Sequence, residues 1–416
     1  MWLSVADVAA NTFDHNEFGW EMGWVARSLF LHQGFSSPFL PFTGPTALVP
    51  PLYPWLISRA FVLFGLYTWA AAVAVLSFNS LCSALTCIPL YFLGRNSLGE
   101  RLGRLTAVAW ALFPLSVYFS ANRVWDYALT GLLFSLCLLL AQQLHRRAWA
   151  AWAGFGLLYG LAVLSNPSVL PMLPVLLIVA CWQLHRQGRT WALKSLLSVA
   201  AFLAVCAPWQ VRNHRVMHAD FLLRDGFAIE FYAGNNGNTF ESNSAAAHPA
   251  SNAAEMLRYQ QLGEIGYIAE KHQLAVEFVA HHPAWFALAC MHRVVRFWTG
   301  WWSFSPAYMR YQPLDLPLIP MLVFLLWAMI RGIRRWWARD RAAAMPYLAA
   351  VILFPAPYYL THSSPDYRQP LEPVVIMLVC VGLFGLDSAK AQATLERSSA
   401  EKQGSCLAPQ FRRGAG

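Results

Sequence analysis

Long apolar runs separated by short polar connections dominate this chain. Most runs are about 17 to 25 residues long, which is the length of helix that about 30 Å of membrane hydrocarbon requires. Residues 50–65 are shorter and contain Arg59, so they predict an interfacial helix instead. The pattern predicts an all-α, polytopic transmembrane bundle of about 9–11 spans. The nine clearest runs lie at residues 68–94, 104–121, 127–144, 149–165, 167–184, 191–209, 316–332, 344–361 and 370–387.

A polar segment at residues 210–282 interrupts the apolar pattern. Within it, residues 253–280 have the periodicity of an amphipathic helix. Residues 283–302 are apolar but contain basic side chains, so they predict an interfacial or re-entrant placement. The last residues show no apolar period and predict a disordered cytoplasmic tail. The predicted units are an outward first loop with interfacial helices, an N-terminal bundle, a large outward loop, a C-terminal group of helices and the tail, at residues 1–67, 68–209, 210–315, 316–387 and 388–416, respectively.

Composition and charge agree with a membrane protein. Of the residues, 57% are hydrophobic and only 12% are charged, and the mean hydropathy is +0.40. The net charge of +9 does not indicate nucleic-acid binding, because the basic residues concentrate in connections between apolar runs, as the positive-inside rule describes. The eight cysteines form no CxxC pair and are expected to be small hydrophobic side chains.

The charge pattern also predicts an orientation. If the basic connections face the cytoplasm, residues 121–126, 165–167, 210–315 and 361–369 face outward. Residues 1–67 then lie outside as well, although no span precedes them. We therefore expect a first transmembrane helix that is missing from the sequence as written. The preferred location is the cytoplasmic (inner) membrane of a bacterium, with the site facing outward.

Acidic residues of the first outward loop are the first catalytic candidates. Glu17, Glu21 and Trp24 share one helical face, and Asp14 lies just upstream. A short helix that presents carboxylates at the membrane surface suits a general base, which accepts a proton from an acceptor group. The alternative is an amphipathic helix whose acids only face water.

Charged residues of the later loops are candidates for binding a phosphate. Arg123 and Asp126 directly precede a span, where Asp126 has either a functional role or that of a helix N-cap. The segment MHRVVRFWTGWW places Arg293 and Arg296 among aromatic residues, where they pair with lipid phosphate or extend to ordinary headgroups. In the last outward loop, an arginine between two spans could hold a phosphate through two hydrogen bonds; the charged residues there are His362, Asp366, Arg368 and Glu372.

Together these segments resemble the membrane glycosyltransferases of the C superfamily, in the branch that contains protein O-mannosyltransferases and aminoarabinose transferases. The resemblance covers roughly residues 14–387 and is strongest in 19–140. It rests on four blocks in order: GWEMGWVARSLFLHQGFSSPF, TGPTALVPPLYPWLISRAFVLFG, ALFPLSVYFSANRVWDYAL and YRQPLEP. The chain departs from its relatives because no adjacent acidic pair precedes the "AR" residues of the first block.

The resemblance implies transfer of a sugar from a polyprenyl-phosphate donor to a lipid, glycan or protein acceptor at the outer face of the membrane, with inversion by analogy. It implies that Glu21 acts as the base or orients the acceptor, with Glu17 and Asp14 as substitutes. Asp126 would help to bind the phosphate or a divalent metal ion, and Arg368 would lie near the donor phosphate. Arg123, Arg293, Arg296 and His362 complete the candidate phosphate ligands. The alternatives are a transporter or flippase of a lipid-linked substrate, and an inactive membrane scaffold.

Overall fold

The computed structural model describes residues 18–39, 42–240, 247–311, 313 and 315–386. Helices dominate this part of the chain, and its only β pairing is one isolated bridge between Ser36 and Pro45. The prediction of an all-α membrane bundle is confirmed. The predicted disordered tail lies outside the described residues.

The α-helices are α1 (Glu21–Phe30), α2 (Leu52–Phe64), α3 (Trp69–Leu85), α4 (Cys87–Leu98), α5 (Glu100–Ala111), α6 (Pro114–Asn122), α7 (Tyr127–Gln143), α8 (Trp149–Ser165), α9 (Met172–Arg186), α10 (Ala192–Met217), α11 (Phe227–Gly234), α12 (Ala253–His281), α13 (Pro283–Thr299), α14 (Pro306–Tyr311), α15 (Asp315–Arg339), α16 (Arg341–Leu353), α17 (Ala356–Leu360) and α18 (Glu372–Phe384). Three short 3₁₀ helices join some of them, at Leu144–Arg146, Pro167–Val169 and Pro365–Leu371.

Seven helical segments of the described chain are long and apolar enough to cross a membrane. Helices α5 and α6 form a further span that is bent by 45°, and α8 is an apolar helix of 17 residues. Each of the nine apolar runs found in the sequence therefore corresponds to a helical segment. Helices α12 and α13 meet at a bend of 106°. The interfacial or re-entrant placement of residues 283–302 stays a prediction.

Close helix packing surrounds α18, which is buried along most of its length. Gly332 of α15 and Gly382 of α18 lie at their crossing, where a Cβ on either glycine would collide with the backbone of the other helix. Small residues at such a crossing let two membrane helices approach closely, so that van der Waals contacts hold them together. The segment that leads into α18 therefore has a fixed position in the bundle.

The first loop is fastened to the membrane helices by Arg212 of α10. Its guanidinium donates hydrogen bonds to the backbone carbonyls of Phe35 (2.5 Å) and Thr46 (2.6 Å). The backbone N–H of Ala47 donates to the Glu264 carboxylate of α12 at 2.7 Å. These contacts fix the segment after α1 between α10 and α12.

Candidate functional site

A cavity of about 600 Å³ lies where the loops predicted to face outward converge. Five charged residues singled out in the sequence line it, namely Glu21, Arg123, Asp126, His362 and Asp366. Its walls come from the start of α1, the α6–α7 loop, the α8–α9 connection, the segments around residues 222–233 and 248–251, and residues 357–367. Loops that are far apart in the sequence thus share one concave surface.

Gly19 brings the first two loops together. Its φ of +99° favours glycine, and a Cβ at this position would lie 2.8 Å from the carbonyl oxygen of Val124. The Gly19 carbonyl also accepts the backbone N–H of Met22 at 2.9 Å, which begins α1. Because of this close approach, Glu21 and Asp126 line the same cavity.

The Glu21 side chain is mostly buried, with 14% of its surface exposed. Burial raises its pKa above the usual 4.5, and this rise is opposed by the nearby His248, whose Nε2 lies 3.7 Å from Glu21 Oε1. Arg224 contributes a smaller opposing effect. A carboxylate whose pKa is raised by burial accepts a proton more readily than an exposed one.

Asp126 is buried at the N-terminus of α7, but its side chain makes no helix-capping hydrogen bond. Its Oδ2 instead accepts hydrogen bonds from Thr130 Oγ1 (2.8 Å) and Asn166 Nδ2 (3.0 Å), and its Oδ1 has no hydrogen-bond partner among the described residues. Burial raises its pKa to about 6, although both hydrogen bonds lower it. Asp126 thus occupies the N-cap position of α7, but its carboxylate accepts no hydrogen bond from the helix amides.

A second group of charges lines the cavity around Glu230. Its Oε2 lies 3.0 Å from His362 Nδ1, and its Oε1 lies 3.9 Å from Arg224 Nη2. Burial raises the pKa of Glu230, but the contact with His362 and the positive charge of Arg224 outweigh burial and lower it to about 2. His362 Nε2 is also 2.7 Å from the Tyr367 hydroxyl. Arg224 lines the cavity and keeps 31% of its side chain exposed.

Arg293 and Arg296 do not line this cavity, contrary to expectation. Arg293 is buried and donates hydrogen bonds to the carbonyls of Leu360 (2.9 Å) and Gly234, so it ties α13 to the end of α11. Arg296 lies over the rings of Trp302 and Tyr308, 3.9 Å from Asp315. Both arginines border a void of about 10 Å³, which holds at most one water molecule rather than a phosphate.

Arg368 also lies away from the cavity. Only 1% of its side chain is exposed, and its Nε lies 2.5 Å from the Glu372 carboxylate, which is itself fully buried. Its Nη1 donates to the backbone carbonyl of Trp298 at 3.2 Å. The expectation that Arg368 faces the donor phosphate is corrected, because the guanidinium is enclosed where α18 begins.

Replacing Arg368 with Met is expected to destabilise the fold, because it leaves Glu372 as an unpaired buried charge. The expected loss is about 3–5 kcal/mol of unfolding free energy. Thermal or denaturant unfolding in detergent measures it, and the Arg368→Met/Glu372→Met double variant should be more stable than Arg368→Met. If Arg368→Met unfolds like wild type yet loses donor binding, the structural role of Arg368 is contradicted.

Two predicted acids and a predicted metal remain untested. Asp14 and Glu17 lie outside the described residues. Among the residues that are described, no group of three or more His, Cys, Asp or Glu side chains could hold a metal ion. Asp126 Oδ1 alone does not provide the several oxygen ligands that a divalent cation takes. A metal at Asp126 stays a prediction.

Sequence reasoning missed Arg224, Glu230, His248 and Asn166, all of which line the cavity. The first three come from the long polar segment, where no periodicity or motif marks them. Asn166 lies in the short connection between two spans. The predicted outward orientation of this connection could have identified Asn166 as a candidate site residue. A polar side chain in so short an outward connection lies at the membrane surface.

Comparisons with known proteins agree with this architecture. Residues 48–211 match the family described as dolichyl-phosphate-mannose-protein mannosyltransferase. The crystal structure of the Archaeoglobus fulgidus oligosaccharyltransferase tethered to an acceptor peptide superposes with a TM-score of 0.52 at 15% identity, over 92% of this chain and 48% of that chain. The chain shares the fold of this oligosaccharyltransferase. The resemblance inferred from the sequence blocks is thereby confirmed.

Two further relatives define the extent of the similarity. The Bacillus subtilis protein named "Putative mannosyltransferase YycA" is 28% identical over 153 residues, which are 36% of this chain and 22% of that protein. The archaeal oligosaccharyltransferase AglB from Archaeoglobus fulgidus, in complex with an inhibitory peptide and a dolichol-phosphate, superposes with a TM-score of 0.50 at 13% identity, over 99% of this chain and 51% of that chain. This chain thus spans about half the length of the archaeal enzyme.

Proposed function

We propose that this protein transfers a sugar from a polyprenyl-phosphate donor to an acceptor at the outer face of the cytoplasmic membrane. The observation that carries the proposal is the single cavity that combines the buried carboxylate of Glu21 with the partly exposed side chain of Arg224. The family match and the dolichol-phosphate bound by the archaeal AglB support this donor class.

Arg224 is the proposed ligand of the donor phosphate. It lines the cavity, and its charge acts on Glu21, Asp126 and Glu230, so it lies centrally among the acids. A guanidinium can donate two parallel hydrogen bonds to a phosphate. Arg123 and His362, which also line the cavity, would add positive charge around the leaving group. Negative charge that develops on the phosphate is thereby stabilised as the bond to the sugar breaks.

Glu21 is the proposed general base. In a single displacement, the acceptor oxygen or nitrogen bonds to the anomeric carbon, the bond from that carbon to the phosphate oxygen breaks, and the acceptor proton moves to the Glu21 carboxylate. Polyprenyl phosphate leaves with the electron pair of the broken bond. Glu21 suits this role because burial makes its carboxylate more basic and because it lines the same cavity as Arg224.

Asp126 is proposed to orient the substrate rather than to accept the proton. Thr130 and Asn166 hold its Oδ2. Its Oδ1 is then directed to a hydroxyl of the sugar or acceptor. On this assignment Asp126→Asn reduces turnover less than Glu21→Gln does.

The test is transfer from radiolabelled polyprenyl-phosphate sugars by the purified protein in detergent. Release of polyprenyl phosphate together with a labelled product supports the proposal. Binding of the donor without turnover favours the flippase alternative, and no binding of any donor favours the scaffold. Transfer from a water-soluble nucleotide sugar instead would overturn the proposed donor class.

The pH dependence of kcat/KM is expected to show loss of activity on the acid side. Only the ionised Glu21 accepts a proton, so activity falls as the pH drops through its pKa, which burial raises above 4.5. The phosphate of the sugar donor is a diester, which stays ionised throughout this range. Donor affinity, measured separately, should therefore change less with pH than kcat/KM does. Rates that stay constant down to pH 4.5 in a protein shown to remain folded would contradict Glu21 as the base.

A further inference from the structure

His248 faces Glu21 across the wall of the cavity. It lies in the described segment that precedes α12, and both side chains are mostly buried, with 18% and 14% of their surfaces exposed. The His248 Nε2 is 3.7 Å from Glu21 Oε1. This separation is longer than a hydrogen bond, but catalytic contacts often shorten when substrate binds.

The other side of the His248 ring is fixed by the backbone. The N–H of Ala250 donates a hydrogen bond to His248 Nδ1 at 3.3 Å, so Nδ1 is an acceptor and carries no proton. The neutral ring therefore carries its proton on Nε2, the atom that faces Glu21. The buried Phe39 ring packs edge-on against the imidazole, with 5.4 Å between ring centroids. Backbone and aromatic contacts together hold the imidazole in this orientation.

We propose that His248 is the positioning residue of Glu21, whose Oε1 accepts its Nε2–H while Oε2 is directed to the acceptor. This inference rests on the proposed function, since it assigns a role relative to the base. His248 does not accept the proton itself, because its Nε2 already carries one. The other charged groups that act on Glu21 are Glu230 and Arg224, and both remain in place when His248 is changed.

A hydrogen bond from His248 to Glu21 has two consequences that packing alone does not have. It restricts the Glu21 carboxylate to one rotamer, and misplacing a base by about 1 Å can cost about 100-fold in rate. It also stabilises the ionised form of Glu21, since a hydrogen bond to a carboxylate lowers its pKa. Loss of His248 should therefore reduce kcat and shift the acid side of the pH profile upward.

The test compares His248→Leu with His248→Gln in the full-length protein. We expect His248→Leu to reduce kcat by about 100-fold, to leave KM for the donor within about twofold, and to raise the apparent acid pKa by about one unit. Glutamine can present an N–H near the position of Nε2, so His248→Gln should recover much of kcat and the wild-type acid pKa. His272→Leu is the matched control, because His272 is exposed on α12 outside the cavity.

Several outcomes would overturn the role of His248. If wild type transfers sugar but His248→Leu keeps its acid pKa, or if glutamine recovers nothing, then His248 does not position Glu21. If wild type transfers no sugar, the proposed function fails, and ¹⁵N NMR of labelled histidine tests the contact separately. We expect a neutral ring protonated at Nε2 whose signal moves in Glu21→Gln, and a ring protonated at Nδ1 would overturn the inference.

Discussion

Glu21→Gln is expected to reduce kcat for sugar transfer by about 10²–10⁴-fold, the range that a general base contributes. Glutamine keeps the size of the side chain and can still contact His248, but it cannot accept a proton. Donor affinity should stay close to that of wild type, because the phosphate is assigned to Arg224. Transfer of radiolabelled sugar gives kcat, and equilibrium binding of the labelled donor gives the affinity.

The matched control for this substitution is Glu277→Gln on α12. Glu277 is exposed and does not line the cavity, so its loss should leave both kcat and donor affinity unchanged. If Glu21→Gln transferred sugar as fast as Glu277→Gln, the base would lie elsewhere. Asp126 and the undescribed acids Asp14 and Glu17 would then be the next substitutions to make.

Arg224→Met is expected to weaken donor binding by about 10- to 150-fold. A hydrogen bond to a charged group contributes about 1.5–3 kcal/mol, and each 1.4 kcal/mol corresponds to a factor of ten. Lysine keeps the charge but loses the forked geometry, so Arg224→Lys should be intermediate. Titration with the labelled donor in detergent measures the dissociation constant directly, and the acid pKa of turnover should rise slightly because a positive charge near Glu21 is lost.

Arg186→Met is the control for loss of an arginine. Arg186 ends α9 and does not line the cavity, whereas the 3₁₀ helix that precedes α9 does contribute to its wall. Donor affinity should be unchanged in this variant. Equal donor affinity in Arg224→Met and wild type would exclude Arg224 as the phosphate ligand and leave Arg123 and His362 as candidates.

The transmembrane helices could be predicted because the bilayer imposes a length and a composition on each of them. Residues 127–144 and 167–184, for example, coincide closely with membrane-crossing segments. Residues 104–121 also gave a span, but the sequence did not reveal its bend of 45°. The break in α12 at Gly263 was likewise missed, because periodicity does not report a single non-helical residue.

The candidate site could be predicted only in part. Glu21 and Asp126 lie in recognisable blocks next to spans, whereas Arg224 and His248 reach the cavity through the folding of a loop without a motif. Arg368 was assigned to the phosphate because the sequence shows a cation near the membrane but not its partner. The spacing to Glu372, four residues later, already allowed an ion pair on one helical turn, and that pair is what forms.

The most direct test of the cavity as a donor site is a structure of the Glu21→Gln protein with a bound polyprenyl-phosphate sugar. We expect the donor phosphate within about 3 Å of the Arg224 guanidinium, and the anomeric carbon facing residue 21. A phosphate held by Arg293 or Arg368, or a sugar bound outside the cavity, would contradict the assignment of this site.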